Sequence, residues 1–412
     1  MTESRFDIIV FGATSFVGQI LSRYLLETFG VGAQMRWAIA GRSDQKLQNL
    51  KADLGPSAAG LELVVANADD EASLRAMCEQ TRVVISTVGP YALFGEPLVK
   101  VCVELGTDYC DLTGEVQWAR KMIQRYEAQA KRSGARIVHC CGFDSIPSDM
   151  GVYYLQQQAM ESFGVPCNEV KMRVRAAKGG FSGGTVASLM NVAKEAASNP
   201  ALRKELANPF SLCPPEHRSK RRQPNVKSAE YDTDFNCWLA PFVMATVNTR
   251  VVHRSNALQG APYSRDFSYD EAMMTGKGIK GRLSAYGVTA ALGGFLVASV
   301  VKPSRWALER FVVPKPGEGP SRKAQEKGFY DLRFIGKTDD GRTLRTKVTG
   351  DGDPGYGSTG KMLGQAGACL AFDVSKEERA GGFWTPASIF GEHLLGRLRK
   401  YSGLTFEVLD ER

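Results

Sequence analysis

The run Ile8-Ile9-Val10-Phe11-Gly12-Ala13-Thr14-Ser15-Phe16-Val17-Gly18 constrains this chain most, because a short apolar segment turns through Gly12 straight into a helix. Phe6 to Phe11 is too short for a buried helix and reads as a parallel strand covered on both faces. Val17, Ile20, Leu21, Tyr24 and Leu25 then recur at helical spacing. Gly12 permits the tight turn, and Gly18 lets the helix lie close on the strand. Ala13, Thr14, Ser15, Phe16 and Val17 surround the positive helix end, where free backbone N–H groups suit a pyrophosphate. Dinucleotide binding at Gly12–Gly18 is therefore expected, with an empty Rossmann-type domain as the alternative.

About thirty residues further on, the strand Met35 to Ala40 ends in Gly41-Arg42-Ser43. An NAD site places an Asp or Glu there to accept from the ribose 2′-hydroxyl, whereas a guanidinium suits a 2′-phosphate. Arg42, assisted by Ser43 and by the charge of Lys46, points to NADPH rather than NADH.

Strand and helix signals keep alternating, as a doubly wound parallel sheet requires. Leu61 to Ala66 reads as a third strand that leaves Asp69 near the adenine, and Val83 to Val88 as a fourth. Ligands lie outside the carboxyl ends of such strands, so Thr87-Val88-Gly89-Pro90-Tyr91 is expected beside the cofactor. Gly106 to Glu115 forms a strand and loop with three carboxylates, and Trp118, Met122 and Tyr126 recur in a helix that stops at Gly134. The strand Ala135 to Cys140 follows, and Asp144 lies beyond its carboxyl end, as a ligand-rim group or as the cap of the next turn.

With 412 residues the chain is long enough for two domains, and its 43% hydrophobic and 23% charged content is that of a soluble globular protein. Nine cysteines lie without a CxxC pair, the pattern of buried free thiols in a reducing compartment. Glu3, Arg5 and Asp7 precede any apolar run, so no signal peptide is expected and the cytoplasm is the expected location. The net charge of +8 is modest, and the one dense basic run, His217 to Arg222, is flanked by prolines and lacks interleaved aromatics. It reads as a surface loop, which argues against nucleic acid as a partner.

The longest apolar segment, Tyr286 to Val301, is shorter than the ~20 residues a bilayer span needs. A buried helix, a dimer-interface helix and an interfacial lipid-touching segment remain open for it, the last placing the protein peripherally at the inner membrane surface.

The motifs GATSFVG, AGRS, STVGPY, GTDYCDLTGE, HCCGFDSIPSD and KGGFSGGT, followed by VVPKPGEGP, GDGDPGYG and WTPA, resemble the saccharopine dehydrogenase-like oxidoreductases. Within that family the chain is most similar to the trans-acting enoyl reductases, which serve modular polyketide synthases making long-chain lipids. The likeness runs almost from end to end. Ser15 departs from the family's usual GATGFVG. The resemblance implies an NADPH-dependent reduction of a carbon–carbon double bond in a small-molecule or carrier-bound acyl intermediate.

After Asp149 the texture changes. Glu169 to Ala176 alternates apolar with basic residues, the period of a strand with one wet face. Tyr330 to Lys337 and Thr343 to Thr349 form a hairpin around Asp340-Gly341. Residues 1–150 are thus expected to be the NADP-binding Rossmann domain, and 151–375 an α+β substrate domain on a mixed or antiparallel sheet whose outer face forms a homodimer. Residues 376–412 are expected to be a C-terminal helix and strand that pack back on the first domain. Lys178 to Thr185, with two glycine pairs at a helix N-terminus, is expected to face the nicotinamide.

Enoyl reduction needs a donor for the developing enolate oxygen and a proton source. Lys178 is the candidate for the first, and Tyr91 or Asp144 for the second. His139, inside an apolar strand, reads as a satisfied core residue, and no His, Cys or Asp spacing suggests a metal. Reduction of an imine or carbonyl in an amino-acid-like substrate is the alternative chemistry, and a lipid-surface protein with a retained Rossmann lobe is the alternative class.

Overall fold

The computed structural model describes residues 4–32, 34–179, 183–217, 219, 221–311 and 319–410. Six strands alternate with helices in its first part: β1 (Phe6–Phe11), β2 (Trp37–Gly41), β3 (Glu62–Val65), β4 (Thr81–Ser86), β5 (Asp108–Asp111) and β6 (Arg136–Val138). The next six are β7 (Glu169–Lys178), β8 (Glu230–Asp232), β9 (Cys237–Pro241), β10 (Ser268–Gly276), β11 (Phe329–Lys337) and β12 (Thr343–Asp351). They are followed by β13 (Gly382–Trp384) and β14 (Leu404–Leu409). The first sheet runs β3-β2-β1-β4-β5-β6-β13 with every pairing parallel, the doubly wound order whose switch point lies between β1 and β4. β1, β2 and β4 are apolar and almost wholly buried because helices cover both faces.

The second sheet is mixed, in the order β14-β12-β11-β7-β10-β9-β8, with β7 and β10 parallel and the other pairings antiparallel. The helix Ile146–Phe163 lies directly on its inner face. A side chain at Gly151 would meet the Phe334 ring at 2.4 Å, so only glycine allows that approach. The outer face carries charged groups, some of them buried. On it Arg173 is held between Asp232 (2.9 Å) and Asp270 (2.8 Å), and Lys171 and Lys337 share Asp234.

The last third of the chain departs from the expected division. The helix Gly357–Phe372 packs on the first sheet and on the helix Phe16–Phe29, because its small residues let it approach: a side chain at Gly367 would meet Ile85 at 2.3 Å. Buried Arg136 of β6 pairs with Asp108 and donates to the carbonyls of Leu370 (2.9 Å) and Val374 (2.6 Å), tying that helix to the sheet. β13 supplies the seventh parallel strand.

The final strand goes elsewhere. β14 does not return to the first domain with the helix Pro386–Tyr401; it pairs antiparallel with β12 and closes the edge of the second sheet. The reason is its alternation: Leu404 and Phe406 face that sheet's core while Thr405 and Glu407 face water. Inside the protein, the Asp149 carboxyl accepts from Ser255 Oγ (2.6 Å) and the Ala387 N–H (2.8 Å), and burial pushes it up to about 7. This joins the helix Ile146–Phe163 to Ala245–Leu258 and to the start of Pro386–Tyr401.

The apolar segment 286–301 belongs to a helix, Gly278–Val300, of which only Gly281, Ala285 and Ser299 are buried. The buried-helix reading is therefore excluded within the chain. All nine cysteines are free, and eight of them are buried. Of the basic run, Arg218 and Lys220 lie outside the described residues, and Arg221 pairs with Glu169 at 2.7 Å.

Candidate functional site at the carboxyl ends of the parallel strands

β1 delivers the chain to Gly12, whose φ of +82° is the left-handed turn that favours glycine. A side chain there would lie 2.7 Å from Val88 Cγ2 and 2.9 Å from Thr87 Oγ1. At Gly18 it would lie 2.3 Å from the Gly12 carbonyl oxygen, so the helix crosses the strand as closely as backbone allows. Ser15 has φ −68° and ψ 162°, an ordinary extended conformation, and its Oγ caps the helix by accepting from the Gly18 N–H at 3.0 Å. No left-handed residue is needed at that position, so serine replaces the usual glycine without strain. The N–H groups of Thr14, Phe16 and Val17 have no acceptor among the described residues and are left for a ligand.

The turn after β4 is bound to this one. Thr87 donates to it twice: its N–H to the Phe11 carbonyl (2.9 Å) and its Oγ1 to the Gly12 carbonyl (2.9 Å). Its hydroxyl also lies 3.0 Å from Ser15 Oγ. Thr87, Val88, Gly89 and Pro90 therefore form one wall of the groove beside Gly12–Gly18. Arg42 is exposed at the end of β2, with no hydrogen bond or ion pair among the described residues. Ser43 caps the following helix by accepting from the Lys46 N–H at 3.4 Å. Asp69 is exposed beyond β3, on the same rim. These residues fit a phosphorylated dinucleotide: orphan amides for the pyrophosphate and an uncommitted guanidinium for the 2′-phosphate.

Tyr91 does not fit its expected part as proton donor. Only 4% exposed, it packs on Trp118 and donates to the Ser86 carbonyl at 2.9 Å. Burial, and then the neighbouring Asp111 charge, raises its phenol well above the usual value. It props the turn from below, while its backbone N–H and that of Ala92 are accepted by Glu115 at 2.8 and 3.1 Å.

Asp144 is different. It lies past β6, partly open to solvent, with Oδ1 3.6 Å from where a side chain on Gly114 would begin. Its carboxyl bonds to no other residue among those described. The surrounding protein, with the Asp111 charge adding, pushes it up to about 7. The loop is stiffened by Asp111, whose carboxylate accepts from the N–H groups of Thr113 (3.1 Å) and Cys140 (3.2 Å), from Tyr109 Oη (3.0 Å), and meets His139 Nδ1 at 2.7 Å. His139 is a core residue, but only half satisfied: its Nε2 is buried without a partner among the described residues.

Lys178 is exposed at the end of β7, and residues 180–182 of the glycine-rich turn lie outside the described residues. Gly179 abuts Asp353 and Pro354, where a side chain would meet Pro354 at 2.6 Å. That segment belongs to GDGDPGYG, a motif with no role assigned from sequence, and it bridges the two halves of the site. Tyr356 packs edge-on against Phe16 at 4.7 Å. Thr359 Oγ1 donates to the Pro354 carbonyl (2.8 Å) and accepts from the Phe143 N–H (2.9 Å) beside Asp144. Ser188, on the helix Gly183–Ser198, donates to Glu115 at 3.0 Å. The crowding of glycine and proline in GDGDPGYG was the available signal for this bridge; nothing marked Ser188.

A parallel sheet of this order, a glycine turn without room for side chains and an open rim carboxylic acid define a Rossmann-type dinucleotide-dependent oxidoreductase. Residues 8–138 match the saccharopine dehydrogenase NADP-binding domain family. Over 408 residues the chain is 38% identical to the trans-acting enoyl reductase of Mycobacterium tuberculosis (strain H37Rv), an alignment covering 96% of each chain. It is 36% identical over 417 residues to the trans-acting enoyl reductase of Mycobacterium ulcerans, again over 96% of each. The chain belongs to this family. Its fold is similar to that of apo saccharopine dehydrogenase (L-Glu forming) from Saccharomyces cerevisiae, with a TM-score of 0.55 and 11% identity over 98% of this chain and 100% of that one.

Replacing Gly18 with Ala forces backbone apart at the turn, and NADPH affinity measured by nicotinamide fluorescence is expected to fall by about 100-fold or more while the far-ultraviolet circular dichroism stays unchanged. Unchanged affinity in this variant would contradict the placement of the pyrophosphate.

Proposed function

We propose that this protein is an NADPH-dependent enoyl reductase acting on an α,β-unsaturated acyl thioester, presented as a small molecule or on a carrier. When bound, the reduced nicotinamide would supply the hydride for the β-carbon. Asp144 then protonates the α-carbon, and Lys178 steadies the negative charge on the thioester oxygen. The observation that carries this reading is Asp144 itself: a carboxyl at the strand-end rim that bonds to no other residue among those described, pushed up to about 7 and so holding a proton near neutral pH. Turn residues Gly12–Gly18, Thr87–Pro90 and Arg42 orient the cofactor, and Asp353–Thr359 holds the second half of the site against it.

An amino-acid-like substrate is disfavoured by the arginines. Such a substrate carries a carboxylate that calls for guanidinium groups converging on the cleft. Arg173, Arg175, Arg333 and Arg345 instead point to the outer face of the second sheet, and Arg136 is committed to Asp108.

Two measurements test the assignment. Wild type is expected to bind NADPH about tenfold or more tightly than NADH, and Arg42→Ala to erase the difference; equal wild-type affinities would refute the role of Arg42. Because an acid must be protonated to act, kcat/KM on a crotonyl thioester is expected to fall as pH rises through about 7. Asp144→Asn is expected to lower kcat roughly 100-fold or more and to flatten that limb. A variant with wild-type rate and profile would assign the proton to another group.

A further inference from the structure

The helix Gly278–Val300 is apolar on every side, and such a helix is ordinarily either buried in a core or placed in a membrane. An 18-residue window of it has a mean hydropathy of 1.6, yet only 11% of that window is buried. Exposure is large at Ile279 (78%), Leu283 (68%) and Val297 (66%). The first alternative is therefore gone within this chain.

Charge points to what covers it. From Ala272 to Leu308 there is no Asp or Glu, while Lys277, Lys280, Arg282, Lys302 and Arg305 give the stretch a charge of +5. The cations lie at the two ends of the apolar run and none within it. Trp306, 63% exposed on the following helix Lys302–Phe311, adds an amphipathic ring beside them. Apolar surface between cationic and aromatic ends matches the depth profile of an anionic lipid leaflet.

The geometry also decides between crossing and lying in the surface. The first turns of the helix are pinned to the second sheet. Gly281 sits on the Gly276 backbone, and Arg282 lies over Trp238 at 5.4 Å. Residues 287–301 extend past that contact with only Ser299 among them buried, a length of about 22 Å against a hydrocarbon core of about 30 Å. The next helix folds back, Ser304 Oγ donating to the Ala298 carbonyl at 2.9 Å, and by Gly319 the chain is packed against Phe16 at the cofactor turn. The chain on both sides of the segment is thus held against the folded protein.

We propose that residues 287–306 form a monotopic anchor that seats this protein on an anionic bilayer. The helix Gly183–Ser198, which carries Ser188 to Glu115, packs against the same helix, so the anchor lies one element from the rim of the site. Attachment there presents the site to acyl chains held in or leaving the leaflet.

Flotation of the full chain through a sucrose gradient tests this, using vesicles of phosphatidylcholine with phosphatidylglycerol (3:1) or of phosphatidylcholine alone. Wild type is expected to float with the anionic vesicles, with partitioning at least about tenfold weaker on the neutral ones. Leu296→Glu/Val297→Glu and, separately, Lys302→Glu/Arg305→Glu are expected to lose flotation at least about tenfold while NADPH affinity stays at the wild-type value. No flotation of wild type, or flotation indifferent to Leu296→Glu/Val297→Glu, overturns the proposal. So does a wild type that sediments as a dimer, does not float, and becomes monomeric in that variant, because the face is then a contact between two copies. Equal flotation on both vesicles overturns the anionic assignment.

Discussion

The contact between Gly18 and the Gly12 carbonyl is the constraint on which the rest depends. With 2.3 Å between that oxygen and the place a side chain would occupy, strand and helix meet at backbone distance, and the helix end is brought level with the strand ends. The consequence spreads sideways. Thr87 reaches Gly12 because the turn is low, and the loop after β4 is thereby locked to the loop after β1. Gly12 has no side chain because Val88 and Thr87 fill its place. A groove with orphan amides on one side and a fixed loop on the other follows from these packing facts, before any ligand is considered.

A second set of contacts fixes the side on which Asp144 lies. Asp111 spends its two oxygens on two backbone N–H groups, a phenol and an imidazole, and so ties the loop after β5 to the end of β6. Asp144 stands just beyond, close to that charge and bonded to no other residue among those described. The raised pKa of Asp144 follows first from its burial, with the Asp111 charge, held in place by those contacts, adding to it.

Much of the first sheet was legible in the chain because its strands are short apolar runs between turn residues, and periodicity reads such runs well. The positions of Arg42, Ser43 and the Gly12–Gly18 turn were legible for the same reason: each follows a strand end directly. Other features needed three dimensions. Tyr91 sits in a motif on the rim, yet its ring turns inward to Trp118, and nothing local distinguishes an inward from an outward aromatic. β14 alternates like any half-buried strand, and only the free edge of β12 decides where it goes. Asp353 to Thr359 is separated from Gly12 by more than three hundred residues, and contacts of that range leave no periodic trace.

The claim at the centre of this account is that a diphosphate rests on the amides past β1. Hydrogen–deuterium exchange with and without NADP+ measures this directly. The account predicts slowed exchange concentrated in peptides spanning residues 12–18 and 86–91, because both turns face the bound cofactor. Protection confined to other segments, or none at a saturating concentration, would contradict it.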